Sequence, residues 1–328
     1  MRNQWVITVA TIAAASAWAL FSQPASAQVT VFSDDFSNGS TVNQPSTPGG
    51  TPPASYTSYD IASSKAATST VSAADLDLYL PSTSSGHVQA QALFTTSPVT
   101  LANPGDYVDL TVAFTDTANI LISGKLSSRL WIGLFNSGGV APLTNLQTDG
   151  LTNNYTGGTQ LWQGYEAQLA PGGNTTKTYL RPQQNAAAGD QDLLGNNSSS
   201  GTTYGNPAGA QLSGTTATSV ILTNGQQLTE EFRVMLNATG GTTVSDILYD
   251  VSSSSVLLSV ASTTNGIPIT AFDGLAVGWQ YKGSSGDPAS VMDVSSVTVT
   301  TDVPEPSTLV LLGTALGWVI DLVVRRRK

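Results

Sequence analysis

The chain has 328 residues, a formal net charge of −10, a sequence pI of about 4.3, one histidine and no cysteine. So acidic a chain is a poor partner for nucleic acid or an anionic membrane surface. Without cysteine it has no disulfides, thiolate zinc sites, haem attachment or cysteine nucleophile, so its stability must come from a packed core, which this length can supply.

Met1 to Ala27 reads as a secretory signal peptide. Arg2 supplies positive charge, Val6 to Phe21 the apolar core, and Ala25-Ser26-Ala27 the small-residue cleavage site. Between Gln28 and Asp302 lie all of the 22 acids except Glu305 and Asp321, against seven cations, a net of −13. Trp5 and Trp18 belong to the signal segment and Trp318 to the tail, which leaves Trp131, Trp162 and Trp279 for the folded part.

From Gln28 onward the pattern is alternation, with no long helical period. Strands are predicted at 29–32, 87–94, 107–114, 129–135, 162–169, 231–237, 256–260, 275–281 and 291–300, divided by Gly, Asn and Pro turns. Such a series predicts an all-β sandwich over residues 28–302. The stretches Asn136 to Gly158 and Gln183 to Gly214 are too long and polar for hairpin turns and read as long loops. Three segments resemble the concanavalin A-like, laminin-G-like jelly roll: Phe32-Ser33-Asp34-Asp35-Phe36, Leu130-Trp131-Ile132-Gly133-Leu134-Phe135, and Phe272-Asp273-Gly274-Leu275 with Met292 to Val297. The resemblance implies a jelly-roll β-sandwich and speaks to fold more than to activity.

Little in the chain carries catalysis. His87 is the sole histidine, and no Gly-x-Ser-x-Gly turn presents a serine to it. Glycosidases need two carboxylates about 5 Å or more apart. Jelly-roll glucanases place theirs in a Glu-x-Asp-x-Glu strand, which this chain lacks; Asp75-Leu76-Asp77 has the alternation without the glutamates, and Glu230-Glu231 point to opposite faces. Asp34, Asp35 and Asp293, from the first and last strands, are a candidate calcium set, since a hard cation wants several oxygens. Asp190 to Gly195 begins like an EF-hand loop, but Leu194 stands where an oxygen ligand belongs.

Strand alternation also predicts a polar face. His87, Gln89 and Gln91 oppose Val88 and Ala90; Arg129 and Trp131 oppose Leu130, Ile132 and Leu134; Trp162, Glu166 and Gln168 oppose Tyr165, Ala167 and Leu169; Arg233 opposes Phe232 and Val234. In one sheet these residues would make an outer face suited to carbohydrate, with amides for hydroxyls and indoles for sugar C–H faces. The alternative puts the tryptophans in the core and leaves the polar face merely wet.

The chain ends with Val303-Pro304-Glu305-Pro306-Ser307, an apolar run from Thr308 to Val324 broken only by Asp321, and Arg325-Arg326-Arg327-Lys328. At about 1.5 Å per residue the run is just long enough to span a bilayer core. The terminal cations hold its end in the cytoplasm, with Asp321 close enough to meet Arg325 at the headgroups. Gly313 and Gly317 form a Gly-x-x-x-Gly pair that would let two such helices approach. The two prolines keep the stretch before the run extended. This order of parts resembles the PEP-CTERM sorting signal. The resemblance implies export through the inner membrane, recognition of Pro304, Glu305 and Pro306 by an exosortase, and a place at the cell surface or outside it once the tail is processed. The expectation is a non-enzymatic structural or adhesive envelope protein without a cofactor, with exopolysaccharide or other glycans as partners. A carbohydrate-binding module using the face around Trp131 and Arg129 is the alternative, and a polysaccharide-degrading enzyme a third.

Overall fold

A computed structural model describes residues 28–37, 60–63, 68–72, 75–80, 86–117, 129–140, 161–170, 175–181, 193–194, 210–216, 220, 222–264, 268–281 and 290–303. Thr30–Thr301 form one compact unit. In chain order the strands begin with β1 (Val29–Asp34), β2 (Asp60–Ser63), β3 (Thr68–Ser72), β4 (Asp75–Leu80), β5 (Gly86–Leu93) and β6 (Val99–Thr100). Then come β7 (Tyr107–Asp116), β8 (Arg129–Asn136), β9 (Gln163–Leu169), β10 (Thr175–Arg181) and β11 (Ala210–Thr216). The set closes with β12 (Gln227–Leu236), β13 (Thr242–Asp250), β14 (Ser255–Thr263), β15 (Ala271–Phe272), β16 (Gly274–Tyr281) and β17 (Ser290–Thr301).

The fold is an all-β sandwich. Its back sheet has eight strands in the order β14-β13-β12-β7-β17-β4-β3, with β1 also on β17. The front sheet has seven, in the order β11-β10-β9-β8-β16-β5-β2, and β15 pairs with β6 separately. Both sheets mix strands from the two halves of the chain, so neither half can close the core alone.

The nine strands read from alternation correspond to β1, β5, β7, β8, β9, β12, β14, β16 and β17. In the core, Leu110, Val112 and Phe114 of β7 and Phe232 and Val234 of β12 share the sandwich interior with Leu130, Ile132 and Leu134 of β8, all buried. Three interior polar groups are bonded between the sheets: Thr178 Oγ1 donates to Ser262 Oγ (2.8 Å), Thr242 Oγ1 to Tyr165 Oη (2.9 Å), and Trp279 Nε1 to the Leu78 carbonyl (3.1 Å). β17 carries a bulge between Val294 and Ser296, where Ser295 Oγ donates to the Ala113 carbonyl instead. The extra residue reverses the parity, so the buried positions run Met292, Val294, then Val297, Val299.

Two of the strands that the alternation reading misses, β13 and β10, have polar residues at core positions, whereas a third, β4, alternates regularly with Leu76 and Leu78 buried. β13 buries Thr242, Val244, Asp246 and Leu248, and β10 buries Thr176 and Thr178, so neither shows an apolar stripe. The stretch Gln183 to Gly214, read as loop, ends inside β11, which pairs with β10.

Candidate functional site

The face opposite the sandwich core on the front sheet collects most of the predicted residues. Strand register sets Trp131 opposite Gln168 and Gly278, Gly278 opposite Gln89, Ala276 opposite Gln91, and Glu166 opposite Gly133 and Tyr179. Arg129 Nη1 donates to Gln168 Oε1 at 3.1 Å, and Tyr179 Oη lies 3.5 Å from the same oxygen. Trp131 stacks on Tyr179, ring centroids 5.7 Å apart. Burial eases the Arg129 guanidinium's hold on its proton without neutralising it. His87 stands in β5 opposite Gln280, and its side chain lies outside the described part of the structure.

The expected open surface is instead covered. Trp131, Gln89 and Gln168 are each 2% exposed, and Gln91 and Glu166 are fully enclosed. Leu193 and Leu194 join Trp131, Trp162, Phe135, Tyr179, Leu93 and Ala276 in a second apolar cluster on this face. The Leu194 N–H donates to Gln89 Oε1 at 2.9 Å. Leu194, out of place in a calcium loop, is here a packing residue. The sequence held two signals for this cover: Leu130 to Phe135 is apolar on both alternating faces, which suits a strand buried on both sides, and Leu193-Leu194 interrupts a polar stretch.

Trp162 precedes β9 rather than beginning it, and it is core-like: fully buried, with Nε1 donating to the Val140 carbonyl at 2.8 Å. Its ring lies over Gly274, where a Cβ would come 2.4 Å from Cζ3. The rim beside it is held by Asp273, whose carboxylate accepts from Ser137 N and Oγ, both at 2.7 Å. Burial raises the Asp273 pKa and these bonds oppose the rise.

Arg233 is not part of the face. β12 pairs with β7 and β13 in the back sheet, and Arg233 there grips Asp109 through Nε and Nη2, both at 2.6 Å. The calcium trio is not assembled either. Ser33 lies beside Thr298, which is five residues from Asp293 along β17, a span of about 17 Å. Asp293 instead faces Asp77 of β4. Among the described residues no group of three or more His, Asp or Glu could hold a metal ion.

At its C-terminal end the chain leaves β17 at Thr301 and runs through Asp302 and Val303 into the Pro-Glu-Pro-Ser stretch, the apolar run and the basic cluster. Residues 302–328 are a PEP-CTERM protein-sorting motif. No curated protein matches the chain's sequence. The carbohydrate recognition domain of Emp47p is similar in structure at TM-score 0.41 and 9% identity, over 83% of this chain and 96% of that one. Lectin II from Ulex europaeus gives 0.39 and 10%, over 84% and 99%. An endo-1,3-beta-glucanase from Streptomyces sioyaensis gives 0.42 and 15%, over 86% and 99%. Likeness at this level speaks to neither ligand nor activity. Of the PEP-CTERM tail, Pro304, Glu305 and Pro306, the expected recognition residues, and the predicted anchor Thr308 to Val324 lie outside the described residues, as does the predicted signal segment Met1 to Ala27. Among the described residues no helix is long and apolar enough to cross a membrane.

Proposed function

We propose that this protein is exported behind its signal segment, tethered in the inner membrane by residues 308–324 with its C-terminus cytoplasmic, and handed to an exosortase through Pro304, Glu305 and Pro306. The sandwich then serves as a non-enzymatic structural or adhesive module at the cell surface or beyond it. The PEP-CTERM motif beginning at residue 302, immediately after the last strand, carries this reading. The interleaved strand order supports a jelly-roll, concanavalin A-like assignment for the sandwich. Against catalysis, Glu166 is the one carboxylate among the described side chains of the front sheet's outer face, and the buried Glu230 and Asp246 sit inside the sandwich where no substrate reaches. Replacing Pro304, Glu305 and Pro306 together with alanine should leave the protein in the inner-membrane fraction. Release from that membrane at the wild-type rate would end the exosortase reading.

A second reading, carbohydrate binding, has its own support. Trp131 and Tyr179 stack beside an amide row in which Gln91 meets no hydrogen-bonding protein group through either Oε1 or Nε2. Buried amides of this kind require water or a ligand. A glycan array with and without calcium tests it, and an array blank under both conditions removes it.

A further inference from the structure

We propose that Leu193 and Leu194 are a built-in plug over a ligand groove on the outer face of the front sheet, and that a glycan enters when the pair lifts out. This rests on the carbohydrate reading above.

The argument begins with a mismatch between cover and floor. Among the described residues the cover is Leu193 and Leu194, 0% and 4% exposed. Beneath and beside them the strands present amides, a guanidinium and an indole. Both polar atoms of the Gln91 side chain, Arg129 Nε and Trp131 Nε1 are buried and find no hydrogen-bonding protein group. The hydroxyls and indole of the sandwich interior do find partners across the sheets, as Thr178 with Ser262 and Trp279 with Leu78 show. The leucines meet the apolar part of this floor, and the Leu194 N–H answers Gln89, but the Gln91 amide, Arg129 Nε and Trp131 Nε1 go unanswered. Each polar group left so opposes closure by about 1–3 kcal/mol.

What holds the plug is correspondingly modest: apolar contact with Trp131, Trp162, Phe135 and Tyr179, and the bond from the Leu194 N–H to Gln89 Oε1. Gln89 thus spends on a backbone amide an acceptor that a sugar hydroxyl would use. Aromatic rings, amides and a cation together are the chemistry of a neutral glycan site. Occupied by the plug, the site takes ligand only in the fraction of molecules that are open, which weakens apparent affinity by that fraction.

The test uses the full-length protein in detergent and reads plug and ligand separately. Hydrogen exchange at the Leu194 amide should run at least about 100-fold faster than at the central amides of β8 and β16, because it needs only local opening. Adding cellohexaose, laminarihexaose or dextran should speed it further where the glycan captures the open form. The variant Leu193→Ser with Leu194→Ser should bind such a glycan at least about tenfold more tightly than the wild type. Exchange of Leu194 only in step with β8 and β16 overturns the plug, whatever the face binds and whether or not the variant folds. Independent opening of Leu194 with no glycan bound by either form overturns the glycan assignment instead.

Discussion

Glu230 on β12 and Asp246 on β13 set two fully buried carboxyl groups side by side on the inner face of the back sheet. Register places Glu230 opposite Leu248 and Asp246 opposite Phe232, so the two are diagonal neighbours. Neither carboxyl meets a well-aligned hydrogen-bond donor, and the Ile247 amide offers Asp246 only partial compensation. Two carboxylates cannot bond each other, so a shared proton is what relieves the pair. Burial holds both above the ordinary carboxylate range, Glu230 up to about 8.

The pair makes stability depend on pH. Because the folded pKa values are raised, the native state binds more protons than the unfolded one above about pH 4, and stability falls as pH rises. The contribution is complete below the unfolded pKa and is lost as pH climbs through about 8 for Glu230. Between pH 5 and pH 9 the wild-type Tm should drop by about 5 °C or more. Glu230→Gln, which supplies a permanent donor to Asp246, should flatten most of that slope. A wild-type Tm unchanged over this range would show that the pair holds no such proton.

On the opposite face of the same sheet, the Arg233 fork closes on Asp109 while its guanidinium lies 4.5 Å from the centroid of the Tyr107 ring. Asp109 is 3% exposed and Arg233 38%, so the carboxylate is the member that suffers when the pair is broken. Arg233→Met should destabilise by about 2–4 kcal/mol in urea unfolding. Arg233→Lys should restore only part of this, since an ammonium cannot make both parallel bonds. Equal stability of the Lys variant and wild type would mean that charge alone matters there.

Trp131 is a support of the fold as well as a candidate ligand contact. Replacing it with alanine removes a ring that is 2% exposed and stacked on Tyr179, at an expected cost of about 3–5 kcal/mol. Loss of binding in that variant would therefore be uninformative by itself. Trp131→Phe should retain the fold by near-UV circular dichroism and is the better control for a glycan array. Urea midpoints indistinguishable between the alanine variant and wild type would contradict the burial.

Gly274 leaves room for the Trp162 ring. A Cβ there would approach Trp162 Cζ3 to 2.4 Å, so Gly274→Ala should cost about 2 kcal/mol and disturb the near-UV tryptophan signal. Gly105 makes the contrast: nothing lies within 4 Å of its Cβ position, but its φ of +100° suits glycine. Gly105→Ala should therefore cost about 1 kcal/mol through the backbone alone and leave that signal unchanged.

The sorting tail, nine of the strands and the side of its own strand on which each of Gln89, Gln91, Arg129, Trp131, Glu166 and Gln168 stands were legible in the sequence, because order of motifs and period-two alternation are local properties; that these strands share one sheet was decided by pairing. β13 and β10 were not, since Asp246, Thr176 and Thr178 occupy core positions and their partners come from other strands. Which sheet β12 joins, and hence the exclusion of Arg233 from the face, was decided by pairing with β7 and β13. That the face is covered was hinted at by Leu130 to Phe135, apolar on both sides, but which segment covers it was beyond any local pattern. Alternation separates the two sides of a strand but is silent about what arrives over them, and here Leu194 reaches Gln89 from 105 residues away.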